Sequence, residues 1–280
     1  PLQLPFTEYQ SFLQMVKMLD PKFILPGSAA FRYSDEFGFL NNLSFPTSPQ
    51  QFLNDLSEFC PEVKRSPFAH GDVAEISSQG VEIRPQDSDF VRIDENDKSV
   101  VEFKPVAPVL PIKTLAKDKV THEKQRQDVI RFVEGEMLQE MLQNEMAEVW
   151  RHWKISYQLE VFGMDGASDI WTVDFSKEPE MQKGRAGKIN LYEGISCSEL
   201  YGLVNKTANW DFISGSAQYR TFHNVYKIEN ESFYYYPQDK KLPQPLRVIF
   251  PNDREMKIEQ FMKDVRRWKN KVHPVGVSVS

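Results

Sequence analysis

The chain has 280 residues, of which 40% are hydrophobic and 26% charged, and its formal net charge is −6. These values are ordinary for a globular protein of one large domain or two ordinary ones. The negative charge argues against a nucleic-acid-binding surface, which needs a basic excess, and the sequence has no run of about 18 apolar residues that would span a bilayer.

Cysteine and histidine usage indicates the compartment and bears on metal binding. Two cysteines, Cys60 and Cys197, lie far apart, and no signal peptide is visible. This pattern is typical of free thiols in a reducing cytosol, so we predict a cytoplasmic protein. None of the five histidines forms a close pair with metal-ligand spacing, so no metal ligands are predicted in this chain. The chain begins with Pro1 rather than Met, which favours a fragment or a processed product.

An amphipathic helix is predicted to open the chain. Thr7 is expected to cap it, with Gln10 completing a capping box, and Asp20-Pro21 is expected to end it. Its predicted buried face consists of Phe12, Met15, Val16 and Leu19. A short buried strand, Lys22 to Leu25, is expected to follow.

A second helix has a clear start signal. Ser48 is its predicted N-cap, Pro49 its first residue and Gln51 the partner in a capping box. Its predicted buried side consists of Phe52, Leu53, Leu56 and Phe59. Short strands separated by turn-like breaks are then expected to form an antiparallel meander: Val73 to Ile76, Val81 to Arg84, Phe90 to Ile93 and Val100 to Phe103.

A segment rich in aromatic and polar residues, Ser28 to Pro46, lies between the two helices. A loop of this length is uncommon unless it is functional or packed on itself. Ser28, Arg32, Asn41 and Asn42 supply polar groups among several phenylalanines. An apolar pocket with a few polar groups is typical of a ligand site. The loop is therefore a candidate site, and a self-packed surface loop is the alternative.

One long helix is predicted from Asp118 to Trp153, because apolar residues recur there at spacings of three and four. The simplest interpretation is core packing against a sheet. The alternative is that its methionines line an adaptable apolar cavity or a dimer seam. Prolines ahead of the helix indicate a stiff connector, so we place a boundary between two domains, 1–112 and 113–280.

The region after the long helix is rich in strands. Alternating patterns predict strands at Ile155 to Val161, Trp171 to Phe175 and Lys188 to Tyr192. Ser196 with Glu199 predicts a capped short helix. A hairpin between Tyr219 and Tyr236, a last strand at Leu246 to Phe250 and a terminal helix around Ile258 to Trp268 complete the predicted elements. Trp210 and Arg220 are further ligand-pocket candidates in this region.

The first segment resembles the C-terminal part of a metallo-β-lactamase-fold protein. The resemblance rests on a helix followed by Leu19 to Pro26, on the second helix, and on a strand that opens with His70-Gly71-Asp72. In that family such a strand delivers a metal-binding His just after a Pro, but here Gly27-Ser28-Ala29 follow. The HxHxDH metal cluster is also absent from the sequence. The resemblance implies part of an α/β fold without an intact metal site.

The second region resembles a sterol-carrier-protein-like domain over Tyr157 to Phe175, Ile189 to Val204 and Trp210 to Tyr226. In that family a curved sheet and helices enclose an apolar tunnel, and such domains follow the metallo-β-lactamase fold in some larger enzymes. Together the two resemblances imply an α/β and α+β chain from a metal-dependent hydrolase whose zinc or iron is bound only by a longer parent. An alternative interpretation is a longer protein with a Rieske iron–sulfur domain upstream of this chain.

Two functions outside catalysis stay open. The chain is a binding module for a lipid or other apolar ligand, held between the long helix and the second sheet, or it is a structural module that forms a homodimer. No GxSxG, Walker or GxGxxG motif is present, so no catalytic residue is assigned.

Overall fold

The computed structural model describes residues 2–27, 33–44, 48–85, 103–108, 110, 112, 119–216, 218–236 and 242–251. These residues form a mixed α+β fold around a six-stranded sheet, as the sequence predicts. Within the described part of the chain, no helix is both long and apolar enough to cross a membrane.

The strands, in chain order, are β1 (Leu2–Gln3), β2 (Phe23–Ile24), β3 (Lys64–Arg65), β4 (Val73–Ser77), β5 (Gly80–Arg84), β6 (Ser156–Phe162), β7 (Ser168–Asp174), β8 (Gln182–Lys183), β9 (Leu191–Ser196), β10 (Arg220–His223), β11 (Tyr226–Glu229) and β12 (Ser232–Tyr235). The large sheet has the order β1-β10-β9-β6-β7-β8. In it β1 runs parallel to β10 and β9 parallel to β6, whereas the other neighbours are antiparallel.

The helices are α1 (Phe6–Leu19), α2 (Pro49–Phe59), α3 (Lys119–Phe132), α4 (Leu138–Gln143), α5 (Met146–His152), α6 (Cys197–Val204), α7 (Trp210–Ser216) and α8 (Pro245–Ile249). A 3₁₀ helix (Asp35–Leu43) precedes α2, and a π-helical turn (Val133–Met137) joins α3 to α4.

The predicted long helix is interrupted. Asn144 has an extended backbone with ψ of 143°, and its side-chain oxygen accepts a hydrogen bond from the Met146 amide at 3.0 Å. An asparagine side chain offers this local alternative to the helical bonds, and it therefore ends α4 and starts α5. The prediction of one unbroken helix to Trp153 is wrong at this point.

The main core lies between this interrupted helix, α6 to α8 and one face of the large sheet. Trp171, Phe175 and Trp210 are buried in it, with exposed fractions of 1%, 3% and 3%. A ligand-sized tunnel would leave the side chains that line it accessible, so the space predicted for an apolar tunnel is filled by side chains. Met137 and Met141 of the long-helix stripe are also buried in this core.

A second core joins α1 and α2 to the β11–β12 hairpin. The buried residues of α1 are Phe6, Tyr9, Leu13 and Val16, so the predicted apolar face was correct only at Val16. The helix begins at Phe6 after Pro5, which places Thr7 inside the first turn without a capping bond. The buried face of α1 is the one that packs against α2 and the β11–β12 hairpin, where Tyr9 also donates a hydrogen bond to the buried carboxylate of Asp55 at 2.7 Å.

Segments from both sides of residue 112 share hydrogen bonds and cores. β1 pairs with β10 in the large sheet, and α2 packs against β11. The division into domains 1–112 and 113–280 stays a prediction. It can be tested by measuring whether the two segments unfold independently.

Several predicted strands differ from those observed. The strand predicted at Lys188 to Tyr192 is found at Leu191–Ser196. The predicted last strand, Leu246 to Phe250, lies largely in helix α8, which has Pro245 at its first position. The predicted hairpin divides, because β10 joins the large sheet while β11 and β12 pair with each other. The first two meander strands form the β4–β5 hairpin. Phe90 to Ile93, most of Val100 to Phe103 and the terminal helix lie outside the described residues.

The predicted start of α2 is confirmed, and its contribution can be measured. The hydroxyl oxygen of Ser48 accepts a hydrogen bond from the Gln51 amide at 3.2 Å. We expect Ser48→Ala to lower the free energy of unfolding by about 1 kcal/mol, because one amide of the first turn loses its partner. Ser57→Ala, at a half-buried position of the same helix where the hydroxyl donates only to the Asn54 carbonyl, is the control and should change stability less. Equal effects in urea unfolding would contradict the capping role.

Candidate functional site

A cavity of about 570 Å³ lies beside strands β9 and β10. We call it the arginine cavity. It is lined by Asn42, Phe103, Pro105, Val106, Tyr192, Ser214, Tyr219, Arg220, Thr221, Phe222, Gln244 and Arg247. Its walls therefore combine aromatic and apolar side chains with two guanidinium groups and a few neutral polar groups.

The central wall of the cavity is formed by paired residues of β9 and β10. Phe222 of β10 lies opposite Tyr192 of β9, and Arg220 lies opposite Gly194. A Cβ atom at Gly194 would lie 2.5 Å from the Tyr192 hydroxyl oxygen and 2.9 Å from the Phe162 ring. A side chain at this position would therefore force the Tyr192 or Phe162 ring to move. The Arg220 guanidinium lies 5.7 Å from the centre of the Phe162 ring.

Aromatic rings form most of the remaining wall. The ring of Phe103 lies 5.0 Å from that of Tyr192 and 5.3 Å from that of Phe222, centre to centre. The Tyr219 ring lies 5.0 Å from that of Trp210, which is buried behind it. Contacts at these separations are favourable and fix the rings relative to one another.

Arg247 is the exposed cation of the cavity. Its guanidinium lies 4.3 Å from the centre of the Trp210 ring and 5.3 Å from that of Tyr219. It also donates to the Ser214 hydroxyl at 3.4 Å. Stacking on two aromatic rings orders the side chain. Its charge also acts on the buried Glu193 carboxylate, whose pKa it lowers.

Arg220 is the half-buried cation of the cavity. It donates to the backbone oxygen of Gln218 at 3.3 Å. No carboxylate among the described residues lies within 4.0 Å of it. Burial lowers the pKa of Arg220, and the nearby Tyr192 and Glu199 oppose this effect. A partly desolvated guanidinium without an ion-pair partner favours binding of an anion.

A buried carboxylate lies behind the tyrosine wall. Glu193 is fully buried, and it accepts hydrogen bonds from the Tyr157 hydroxyl at 2.9 Å and the Leu246 amide at 3.0 Å. The Tyr219 hydroxyl donates to its other oxygen and lies 2.9 Å from the side-chain oxygen of Gln244. Burial raises the pKa of Glu193, whereas these hydrogen bonds oppose the shift. The network fixes Tyr219 and Gln244 at the cavity.

Six pocket candidates follow from the sequence: Ser28, Arg32, Asn41, Asn42, Trp210 and Arg220. Asn42 and Arg220 line the arginine cavity, and Trp210 supports Arg247 and Tyr219 from behind. Asn41 instead closes its own loop, because its side chain makes hydrogen bonds of 2.9 Å to both the amide and the carbonyl of Tyr33. Ser28 and Arg32 lie outside the described residues.

Other cavity residues carry no signal in the sequence. Phe103 belongs to a predicted meander strand, Tyr219 to a predicted hairpin and Arg247 to a predicted last strand, whereas Gln244 has no distinguishing pattern. They converge only because irregular segments, β10 and α8 meet in three dimensions.

The described residues contain no group of three or more His, Cys, Asp and Glu side chains arranged to hold a metal ion. Both cysteines are buried as free thiols. Burial raises the pKa of the Cys197 thiol to about 12, so a reactive thiolate is disfavoured at neutral pH.

No protein-family model matches the chain, and no curated protein matches it. Among solved structures, sterol carrier protein 2 from Yarrowia lipolytica in its apo form is similar over 40% of this chain and 87% of its own length, at 19% identity and a TM-score of 0.27. A TM-score this low carries no argument about function. None of these findings supports the predicted metallo-β-lactamase-like segment or its zinc or iron chemistry, which stay predictions. The functional argument therefore rests on the arginine cavity itself.

Proposed function

We propose that the chain binds a small amphipathic molecule, with an anionic head group and an apolar body, in the arginine cavity. The single observation that carries this proposal is the half-buried Arg220 without an ion-pair partner among the described residues, placed in an aromatic cavity. The proposal therefore adds a negative charge to the small or apolar ligand that the sequence predicts.

The size and the lining of the cavity support such a ligand. Its volume of about 570 Å³ lies within the usual range for small-molecule sites, roughly 300–1,000 Å³. Phe103, Val106 and Phe222 would cover an apolar body, and burying it releases about 0.8 kcal/mol per methylene. The guanidinium groups of Arg220 and Arg247 would bind a carboxylate, sulfonate or phosphate through charge-assisted hydrogen bonds.

The predicted metal-dependent hydrolase activity and the predicted homodimer have no supporting observation in the described residues. We therefore propose neither of them as the function of this chain. The binding proposal is supported by residues that line one cavity.

Binding can be tested with dodecanoate, which has a carboxylate head and an apolar chain. Bound anilinonaphthalene sulfonate serves as the fluorescent reporter, and dodecanoate should displace it at one site per chain. Dodecyltrimethylammonium has the same chain with a cationic head. It should compete at least tenfold more weakly, because the two guanidinium groups repel a cation and bind a carboxylate. Equal competition by the two amphiphiles, or none by dodecanoate, would overturn the proposal.

Arg220→Met is the matching protein variant, since methionine keeps an apolar side chain and removes the charge. We expect its affinity for dodecanoate to fall about 10- to 100-fold, the usual effect of losing a hydrogen bond to a charged group. Arg84→Met, on strand β5 and outside the lining of the arginine cavity, removes an exposed arginine and should leave the affinity unchanged. A similar loss in both variants would indicate a general charge effect and would reject the site.

A further inference from the structure

A second cavity, of about 640 Å³, adjoins the arginine cavity. The two share three lining residues, Asn42, Phe103 and Phe222. The remaining lining of the second cavity comes mainly from α2, residues 187–190 and residues 224–228, and it combines apolar side chains with the charged groups of Asp55, Glu58, Lys188 and Lys227. The boundary between the two cavities is thus formed by a few side chains.

Phe222 and Asn42 belong to regular elements. Phe222 lies in β10 and is buried, and Asn42 lies in the 3₁₀ helix that precedes α2. Phe103 lies in an irregular segment and is only half-buried. Its ring contacts Tyr192 and Phe222. Of the three shared residues, Phe103 is therefore the one that can be replaced without changing a residue of a strand or a helix.

The backbone around Phe103 is held in place. The side-chain amide of Asn42 donates to the backbone oxygen of Lys104 at 2.5 Å. The Lys104 side chain crosses Gly38 so closely that a Cβ atom there would lie 2.7 Å from Lys104 Cδ. Because these contacts anchor the segment independently of the Phe103 ring, a smaller side chain at position 103 should open the boundary and leave the segment in place.

We propose that Phe103 sets the length of the amphipathic anion that the arginine cavity accepts, by separating it from the second cavity. This inference rests on the proposed binding function. With the head group at Arg220, a short chain ends against the Phe103 ring. A longer chain must pass this ring to reach the second cavity, where the Lys188 ammonium group in the lining favours a polar end group. The ligand class that Phe103 discriminates against is therefore long-chain anions, particularly those with a terminal hydroxyl.

Three carboxylates test this inference by displacement of bound anilinonaphthalene sulfonate: dodecanoate, hexadecanoate and ω-hydroxyhexadecanoate. In the unmodified chain dodecanoate should bind at least as tightly as the two longer acids. In Phe103→Ala both longer acids should gain about tenfold or more relative to dodecanoate, because the additional methylenes become buried. Phe103→Leu should show a smaller gain, since leucine leaves a narrower opening. ω-Hydroxyhexadecanoate should gain at least as much as hexadecanoate.

Val106→Ala is the matched control, because Val106 lines the arginine cavity and not the second one. It removes apolar volume without opening the boundary, so the ratio of the affinities should stay constant. If the affinities of the longer acids relative to dodecanoate are also unchanged in both Phe103 variants, the role of Phe103 is overturned and the proposed binding stays intact. Failure of every acid to bind the unmodified chain is a different result, since it rejects the proposed function itself.

Discussion

Replacing Glu193 by leucine is expected to lower the free energy of unfolding by about 3 kcal/mol. The carboxylate is fully buried and accepts hydrogen bonds from the Tyr157 hydroxyl, the Leu246 amide and the Tyr219 hydroxyl. Leucine leaves these donors without their acceptor inside the core. Each unpaired buried donor costs about 1–3 kcal/mol. Tyr219 retains the side chain of Gln244 as a partner, so Tyr157 and Leu246 account for most of the effect.

Glu193→Gln is the control, because its amide oxygen can accept from Tyr157 and Leu246 while its amide nitrogen donates to the Tyr219 oxygen. We expect its unfolding free energy near neutral pH to lie within about 1 kcal/mol of the unmodified chain, or above it. Urea unfolding, followed by circular dichroism, measures both variants. A leucine variant as stable as the glutamine variant would show that the hydrogen bonds of Glu193 contribute little.

The difference in unfolding free energy between the unmodified chain and Glu193→Gln should change with pH in a defined direction. Burial raises the pKa of Glu193 above its ordinary value of 4.5, so between that value and the raised one the folded state binds more protons than the unfolded state. The stability contribution of Glu193 is therefore present at low pH and is lost as the pH rises through the folded-state pKa. Glu193→Gln does not titrate, so its stability relative to the unmodified chain should increase with pH over this range. An opposite slope would contradict the raised pKa.

Leu13→Ala in α1 is expected to destabilise the chain by about 3 kcal/mol. Leu13 is fully buried in the core that α1 and α2 form with the β11–β12 hairpin. Truncation of a buried leucine removes apolar contacts and leaves a cavity, which together cost about 2–5 kcal/mol. Met18→Ala on the same helix is the control, since Met18 is 79% exposed and should change stability by less than about 0.5 kcal/mol.

Tryptophan fluorescence makes this variant a test of the domain division. All five tryptophans lie after residue 149, whereas Leu13 lies in the first segment. If the shared sheet and core make one cooperative unit, the Leu13→Ala transition seen by tryptophan fluorescence shifts by the same free energy as the one seen by circular dichroism. A tryptophan transition that does not move would show that the segments 1–112 and 113–280 unfold independently.

Local signals in the sequence correctly predicted several elements. Ser48 before Pro49 marks the start of α2, and Ser196 accepts a hydrogen bond from the Glu199 amide at the start of α6. Alternation from Ile155 and from Trp171 similarly identified β6 and β7. These signals work because a cap or an alternating face is determined by residues that are adjacent in the chain.

Predictions failed where distant contacts decide the outcome. The buried face of α1 depends on Asp55 and on the β11–β12 hairpin, neither of which its own periodicity contains. The apolar run at Leu246 is too short to distinguish a strand from a helix by pattern alone. Sequence pattern named Asn42, Trp210 and Arg220, but their convergence with Phe103 and Arg247 depends on tertiary packing. The cavity itself was therefore not predictable from local pattern.

The most direct test of ligand binding in the arginine cavity is a crystal structure of the chain with bromine-labelled dodecanoate. The anomalous signal of bromine at the end of the chain locates the apolar end independently of the carboxylate density. We predict the carboxylate within hydrogen-bond distance of Arg220 or Arg247, and the bromine inside the same cavity near Phe103. Bromine density that lies only at other surfaces, with no ligand between these arginines and Phe103, would contradict the proposed function.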